Sequence, residues 1–158
     1  MSHAELSPFA PEQLAELLGA LNAELTAQSM AAILQILQGA NLSLPRLVAL
    51  MHLKRHGAAT ISELSEQLHL ALGTTSQAID QLVQGGLVER REGVNDRRQK
   101  LVTLTPAGTE IVARVRQVRL EASARRFAEL PPELVDRLGA AVSEALAVLQ
   151  LEEPAAPL

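Results

Sequence analysis

Between Arg90 and Lys100 the chain places five basic residues, Arg90, Arg91, Arg97, Arg98 and Lys100, with one aspartate, Asp96, directly before an Arg-Arg pair. Cationic groups at that density neutralise phosphates and release their condensed counterions. Asp96 would repel a polyanion, so a structural duty suits it better. Its carboxylate can pair with an arginine and accept backbone N–H groups of a tight turn, which leaves Arg98 held outward. A second group precedes the basic run: Gly73, Thr74, Thr75, Ser76, Gln77 and Gln81 are small or hydrogen-bonding. A merely solvated helix usually carries more Lys and Glu. These side chains suit base edges instead: glutamine pairs bidentately with adenine, and hydroxyls meet bases or phosphates. The plainer alternative is a polar surface helix followed by an ordinary charged hairpin. His52 and His56, spaced i, i+4, could chelate zinc, but only His3 and His69 remain to help and there is no cysteine, so no metal is expected. Nothing groups a nucleophile with a base, spaces paired carboxylates or forms a glycine-rich phosphate loop. No enzyme is expected, and no cofactor.

The charge distribution favours a polyanion. The net charge of −4 hides a division. Residues 44–126 hold 13 of the 14 Lys and Arg but 8 of the 18 Asp and Glu, a surplus of five positive charges. The two ends together hold 1 basic and 10 acidic residues. A positive middle between negative ends places the anionic partner at the middle. With 158 residues, one domain with a real core is the default, and 47% hydrophobic residues argue against disorder. Aromatics are 1%, so Leu, Val, Ile and Ala must build the core, a composition that favours helices. The absence of cysteine excludes disulfides and thiolate chemistry. The N-terminal segment lacks the basic and apolar blocks of a signal peptide, and with no 18-residue apolar run nothing is expected to span a membrane. The expectation is a cytoplasmic protein with no membrane partner.

The elements that must position these groups follow from punctuation and periodicity. Pro11 and Glu12 start a helix whose Leu14, Leu17, Leu18, Leu21 and Leu25 recur at helical spacing, ending near Gly39. Ser43 with Pro45 starts another, and Gly57 stops it. Thr60-Ile-Ser-Glu63 reads as a capping box opening a short helix. A turn over 70–73 leads to a third short helix from Thr74 to Val83, ended by Gly85-Gly86. Leu87 to Arg91 and Lys100 to Leu104 read as two strands around a turn at Gly93 to Asp96. Thr105-Pro106 starts a long helix, Pro131-Pro132 breaks it, and a last helix carries Leu134, Leu138, Val142, Leu146 and Leu149.

Helix, helix, helix, strand, wing, strand is the order of a winged helix-turn-helix. The fold class expected is mainly α with a small β-hairpin wing, flanked by N- and C-terminal dimerisation helices. In such a module the second short helix enters the major groove, and the wing lies along the backbone or dips into the minor groove. The division expected is an N-terminal helical segment over 1–42, a DNA-binding module over 43–105, C-terminal dimerisation helices over 106–151, and a flexible tail over 152–158.

At these residues the sequence resembles the multiple-antibiotic-resistance regulator (MarR) family. The marks are Asp96-x-Arg98, a β-run ending Leu104-Thr105-Pro106-Ala107-Gly108, and the join Leu82, Gly86, Leu87, Arg90. The motifs cover about residues 44–108. The resemblance implies a homodimeric, DNA-binding transcription regulator, in many members a repressor of a pseudo-palindromic operator on double-stranded DNA, released by a small aromatic or anionic ligand. It places Thr74, Ser76 and Gln77 in the major groove and Arg98 in the minor groove. Gln77 stands where many members carry arginine, which changes the base that position would read. It also places the ligand between the dimer core and the DNA module, where Arg46, His52 and Arg114 are the candidates for holding an anion. The competing reading is a winged-helix module that binds another protein.

First and last helices so rich in Leu, Ala and Val exceed what a small winged core can cover, which independently favours an intertwined dimer over a monomer with a helical cap.

Overall fold

The computed structural model describes residues 9–92 and 100–152. Among these residues lie six helices and a three-stranded antiparallel sheet: α1 (Pro11–Gly39), α2 (Leu44–His56), β1 (Ala59–Thr60), α3 (Ile61–Leu68), α4 (Leu72–Gln84), β2 (Val88–Glu92), β3 (Lys100–Leu104), α5 (Pro106–Phe127) and α6 (Pro132–Glu152). The mainly helical, winged architecture agrees with the reading of the sequence.

Two local differences have clear causes. Strand β1 was not anticipated; two residues are too few to show an alternating pattern. It pairs with β3, Ala59 opposite Val102 and Thr60 opposite Leu101, so the sheet order is β1-β3-β2 and the hairpin is anchored to the helical body. Helix α4 begins at Leu72 instead of Thr74, because Ala71 caps it with extended backbone alone and Gly73 sits inside the first turn.

The core is aliphatic, as the composition requires. Leu47, Leu50 and Leu53 of α2, Leu64 of α3, Ile79 and Leu82 of α4, Val88, Val102, and Ile111 and Val115 of α5 are buried together. The C-terminal half of α1 joins them through Ile33, Ile36 and Leu37. Met51 of α2 is exposed, because the buried face of that helix is set by residues 47, 50 and 53.

The capping box is present in full. Thr60 Oγ1 accepts the Glu63 N–H at 3.2 Å, and Glu63 Oε2 accepts the Thr60 N–H at 2.6 Å. These bonds to Thr60 hold the Glu63 carboxyl below its ordinary range, the backbone N–H being the largest cause and the hydroxyl the next. Thr60→Ala is expected to lower stability by about 1 kcal/mol in urea unfolding at neutral pH. Because folding lowers this carboxyl's pKa, its stabilisation is fully present above the unfolded carboxylate range and fades as pH falls through the folded value. The stability gap between parent and Glu63→Ala should therefore shrink on acidification; a constant gap would remove the charged cap from the account.

The join between sheet and α5 is tight. Gly86 takes a left-handed φ of 67°, and its carbonyl accepts Thr105 Oγ1 at 2.7 Å. The Thr105 N–H donates to the Leu87 carbonyl at 3.1 Å, while Thr105 Oγ1 caps α5 by accepting the Gly108 N–H at 3.1 Å. A Cβ on Gly108 would lie 2.0 Å from the Leu87 carbonyl oxygen. Glycine is required there by backbone contact.

Helices α1 and α6 present apolar surface outward. Leu14, Leu17, Leu18 and Leu21 on α1, and Val142, Leu146 and Leu149 on α6, are exposed. Among the described residues, α1 is the one helix long and apolar enough to cross a membrane, with mean hydropathy 1.2 in its best 18-residue window. That corrects the expectation that no such stretch exists. Asn22, Glu24 and Gln28 interrupt it, and Glu24 pairs with Arg126 of α5, which ties the helix into protein packing.

Candidate nucleic-acid interface

The second helix of the pair, α4, is held by Ile79 and Leu82, both buried against the core. That anchoring turns the opposite face outward. Gly73, Thr74, Gln77 and Gln81 are exposed and Ser76 is half-buried. Thr75 departs from its expected place: it is fully buried, and its hydroxyl donates back to the Ala71 carbonyl at 3.2 Å. A hydroxyl satisfied within its own helix packs like a small apolar group, so Thr75 is a core residue and not a groove reader.

The hairpin's strand parity sorts the basic residues. Val88 and Arg90 share the face of β2 that packs toward α4, opposite Leu104 and Val102. Arg90 therefore reaches back, and its guanidinium meets Asp80 of α4 at 2.6 Å. Glu89 and Arg91 lie on the other face and pair with each other, with Thr103 Oγ1 donating to the same carboxylate at 3.5 Å. Lys100 lies opposite Glu92 in the register and pairs with it at 3.7 Å. Each basic residue at the base of the wing thus has an acidic neighbour. Asp96, Arg97 and Arg98 lie outside the described residues.

Beside the exposed start of α4 runs an open groove of about 650 Å³ lined by Thr60, Ile61, Ser62, Leu72, Gly73, Ser76 and Lys100. Thr60, Ser62 and Leu72 were missed from sequence. Thr60 caps α3 and Ser62 lies in its first turn, whose place beside α4 only the fold reveals.

The candidates for anion holding do not converge. Arg46 donates from Nε to Ser43 Oγ at 3.1 Å. His52 lines a cleft with His56, Ala59, Glu63 and Glu66, whereas Arg114 lines another with Gln35, Ile36 and Gln117. The His52 and His56 rings sit 4.6 Å apart, and burial and His56 lower the His52 pKa, partly opposed by Glu63. Among the described residues no third His, Cys, Asp or Glu completes a metal-binding group with them. A different cleft of about 440 Å³ combines apolar walls with positive charge. Met51, Lys54 and Arg55 of α2 face Val112, Val115, Arg116, Arg119, Leu120 and Ser123 of α5. Those α5 positions recur at three and four residues, one helical face that periodicity could have exposed.

Against this geometry, residues 42–100 match the model of the MarR family. This winged module belongs to the MarR family. The organic hydroperoxide resistance transcriptional regulator of Bacillus subtilis (strain 168) is 33% identical over 96 residues, which are 61% of this chain and 63% of that protein. This chain therefore spans less than two thirds of that relative's length. Transcriptional regulator Tm0710 from Thermotoga maritima superposes with a TM-score of 0.77 at 18% identity, covering 88% of this chain and 95% of the other. S. aureus MepR in its DNA complex superposes with a TM-score of 0.64 at 20% identity, over 80% of this chain and 96% of that one. The same protein bound to ethidium bromide gives 0.61 at 19% identity, over 91% and 99%. At these identities the superpositions show the fold.

Proposed function

We propose that this MarR-family chain is a homodimeric DNA-binding transcription regulator, a repressor of a pseudo-palindromic operator that a small ligand releases. The observation that carries the reading is α4, whose outward face offers Gly73, Thr74, Gln77 and Gln81 beside the wing while its inward face is locked into the core. A rigid helix with hydrogen-bonding groups and no outward Lys or Glu is suited to base edges. Relatives named as transcriptional regulators, and MepR solved on DNA, support it. In this reading Arg98 enters the minor groove, as the resemblance implies, Asp96 braces it through its carboxylate, and the protein works in the cytoplasm.

The dimer is supported by the exposed apolar stripes of α1 and α6. The proposed division follows: α1 and α5–α6 dimerise, and the winged module between them meets DNA, two copies lying one helical turn apart. The α2–α5 cleft suits a ligand with an apolar body and an acid group, since Met51, Val112 and Leu120 lie beside Lys54, Arg116 and Arg119.

One observation favours the competing protein-interaction module: the acidic partners of Arg90, Arg91 and Lys100 weaken the positive field at the wing's base. Selection of bound fragments from the source genome by the purified protein separates the readings. A regulator enriches a short inverted repeat, and Gln77→Ala weakens binding to it by about 1–3 kcal/mol while leaving non-specific DNA binding unchanged. Failure to enrich any sequence would leave the protein-interaction reading.

A further inference from the structure

The Asp80–Arg90 pair joins the reading helix to the wing, and neither residue's role is explained by charge alone. Asp80 is a carboxylate three residues beyond Gln77 on the helix proposed to enter DNA. By Coulomb's law it should repel phosphates. Arg90 belongs to the basic run, yet strand parity turns it away from the side that carries Arg91 and onto α4. Their side chains are 48% and 35% exposed, so the pair contributes little to folding stability. What it does set is geometry. It is the described ion pair that links α4 to β2, and the strand it grips leads directly into the wing.

We propose that Asp80 is a positioning residue for DNA binding: by holding Arg90 it fixes the angle between the reading helix and the wing, so that both reach their grooves together. This rests on the DNA-binding reading above. The two roles open to Asp80 predict opposite signs. As a repelling charge, its removal strengthens binding. As a brace, its removal weakens binding even though the protein becomes more positive.

The test is a double-mutant cycle on the operator obtained by fragment selection, read by fluorescence anisotropy across a salt series. Asp80→Asn keeps the shape and removes the charge. It is expected to weaken binding about tenfold, within the range of coupling between contacting residues. The salt slope should stay unchanged, since no phosphate contact is lost. Arg90→Gln should weaken binding similarly, and the double variant should bind no worse than Arg90→Gln alone. Asp80→Glu, which retains the carboxylate, should recover most of the affinity, and thermal melting of Asp80→Asn should stay near that of the parent. Equal or tighter binding by Asp80→Asn overturns the proposal while leaving the regulator reading intact, as does strict additivity in the cycle. Absence of any DNA binding by the parent overturns both.

Discussion

Gly108→Ala is expected to destabilise the protein by about 2–3 kcal/mol, the upper part of the range for forced overpacking. The added methyl would lie 2.0 Å from the Leu87 carbonyl oxygen and 3.1 Å from Leu104 Cδ2. The first of these atoms is backbone, so no rotamer change relieves the clash. The start of α5 would have to lift, which stretches the Thr105 N–H bond to the Leu87 carbonyl and the Thr105 hydroxyl bond to the Gly86 carbonyl. Urea unfolding of parent and variant measures the loss. Gly139→Ala is the control: it lies within α6, nothing approaches its Cβ position within 4 Å, and alanine there should be neutral or stabilising by up to about 1 kcal/mol. Equal effects at the two positions would refute the close-approach account. The result also bears on the Leu-Thr-x-x-Gly pattern, which here has a mechanism: threonine caps the helix and ties it to the Gly86 carbonyl, and glycine admits the Leu87 carbonyl.

Leu146→Glu is expected to raise the dimer dissociation constant by at least about 30-fold, the equivalent of losing one interface hot spot of about 2 kcal/mol. Val142, Leu146 and Leu149 follow one another at four and three residues along α6 and are each about half exposed or more in the single chain. Leu14, Leu17, Leu18 and Leu21 form the corresponding stripe on α1. A charge set among these groups would be desolvated without a partner on association. Sedimentation velocity over a concentration series reads the shift. A parent that stays monomeric at every concentration would refute the dimer, and an unmoved dimer constant would place the interface elsewhere. Operator affinity should fall with the dimer, because each half-site alone offers only one reading helix.

Much of the fold was legible because its boundaries are written in side chains. Thr60 with Glu63, Thr105 with Pro106, Gly85-Gly86 and Pro131-Pro132 each impose a start or a stop through local chemistry. Where backbone alone does the work, the sequence is silent, as at Ala71, which starts α4 with no side-chain cap, and at the two-residue β1. The site was less legible than the fold. Thr75 is polar by type but spends its hydroxyl on Ala71, so its position on the helix, not its chemistry, decides its burial. Arg90 and Arg91 are identical in type and adjacent in sequence, yet strand parity sends one to Asp80 and the other to Glu89. Arg46, His52 and Arg114 were grouped by charge and expected location; three dimensions separate them, and the cationic cleft forms where faces of α2 and α5 meet.

Thr60 ends β1 and also caps α3, and β1 lies on the opposite side of β3 from β2. A lever arm is thereby built into the module. Strand β3 carries the hairpin and also pairs with β1, whose Thr60 caps the first turn of α3, so sheet and helix share one hydrogen-bonded frame. In the proposed DNA-binding reading, a shift of the hairpin is therefore expected to move the helix pair with it.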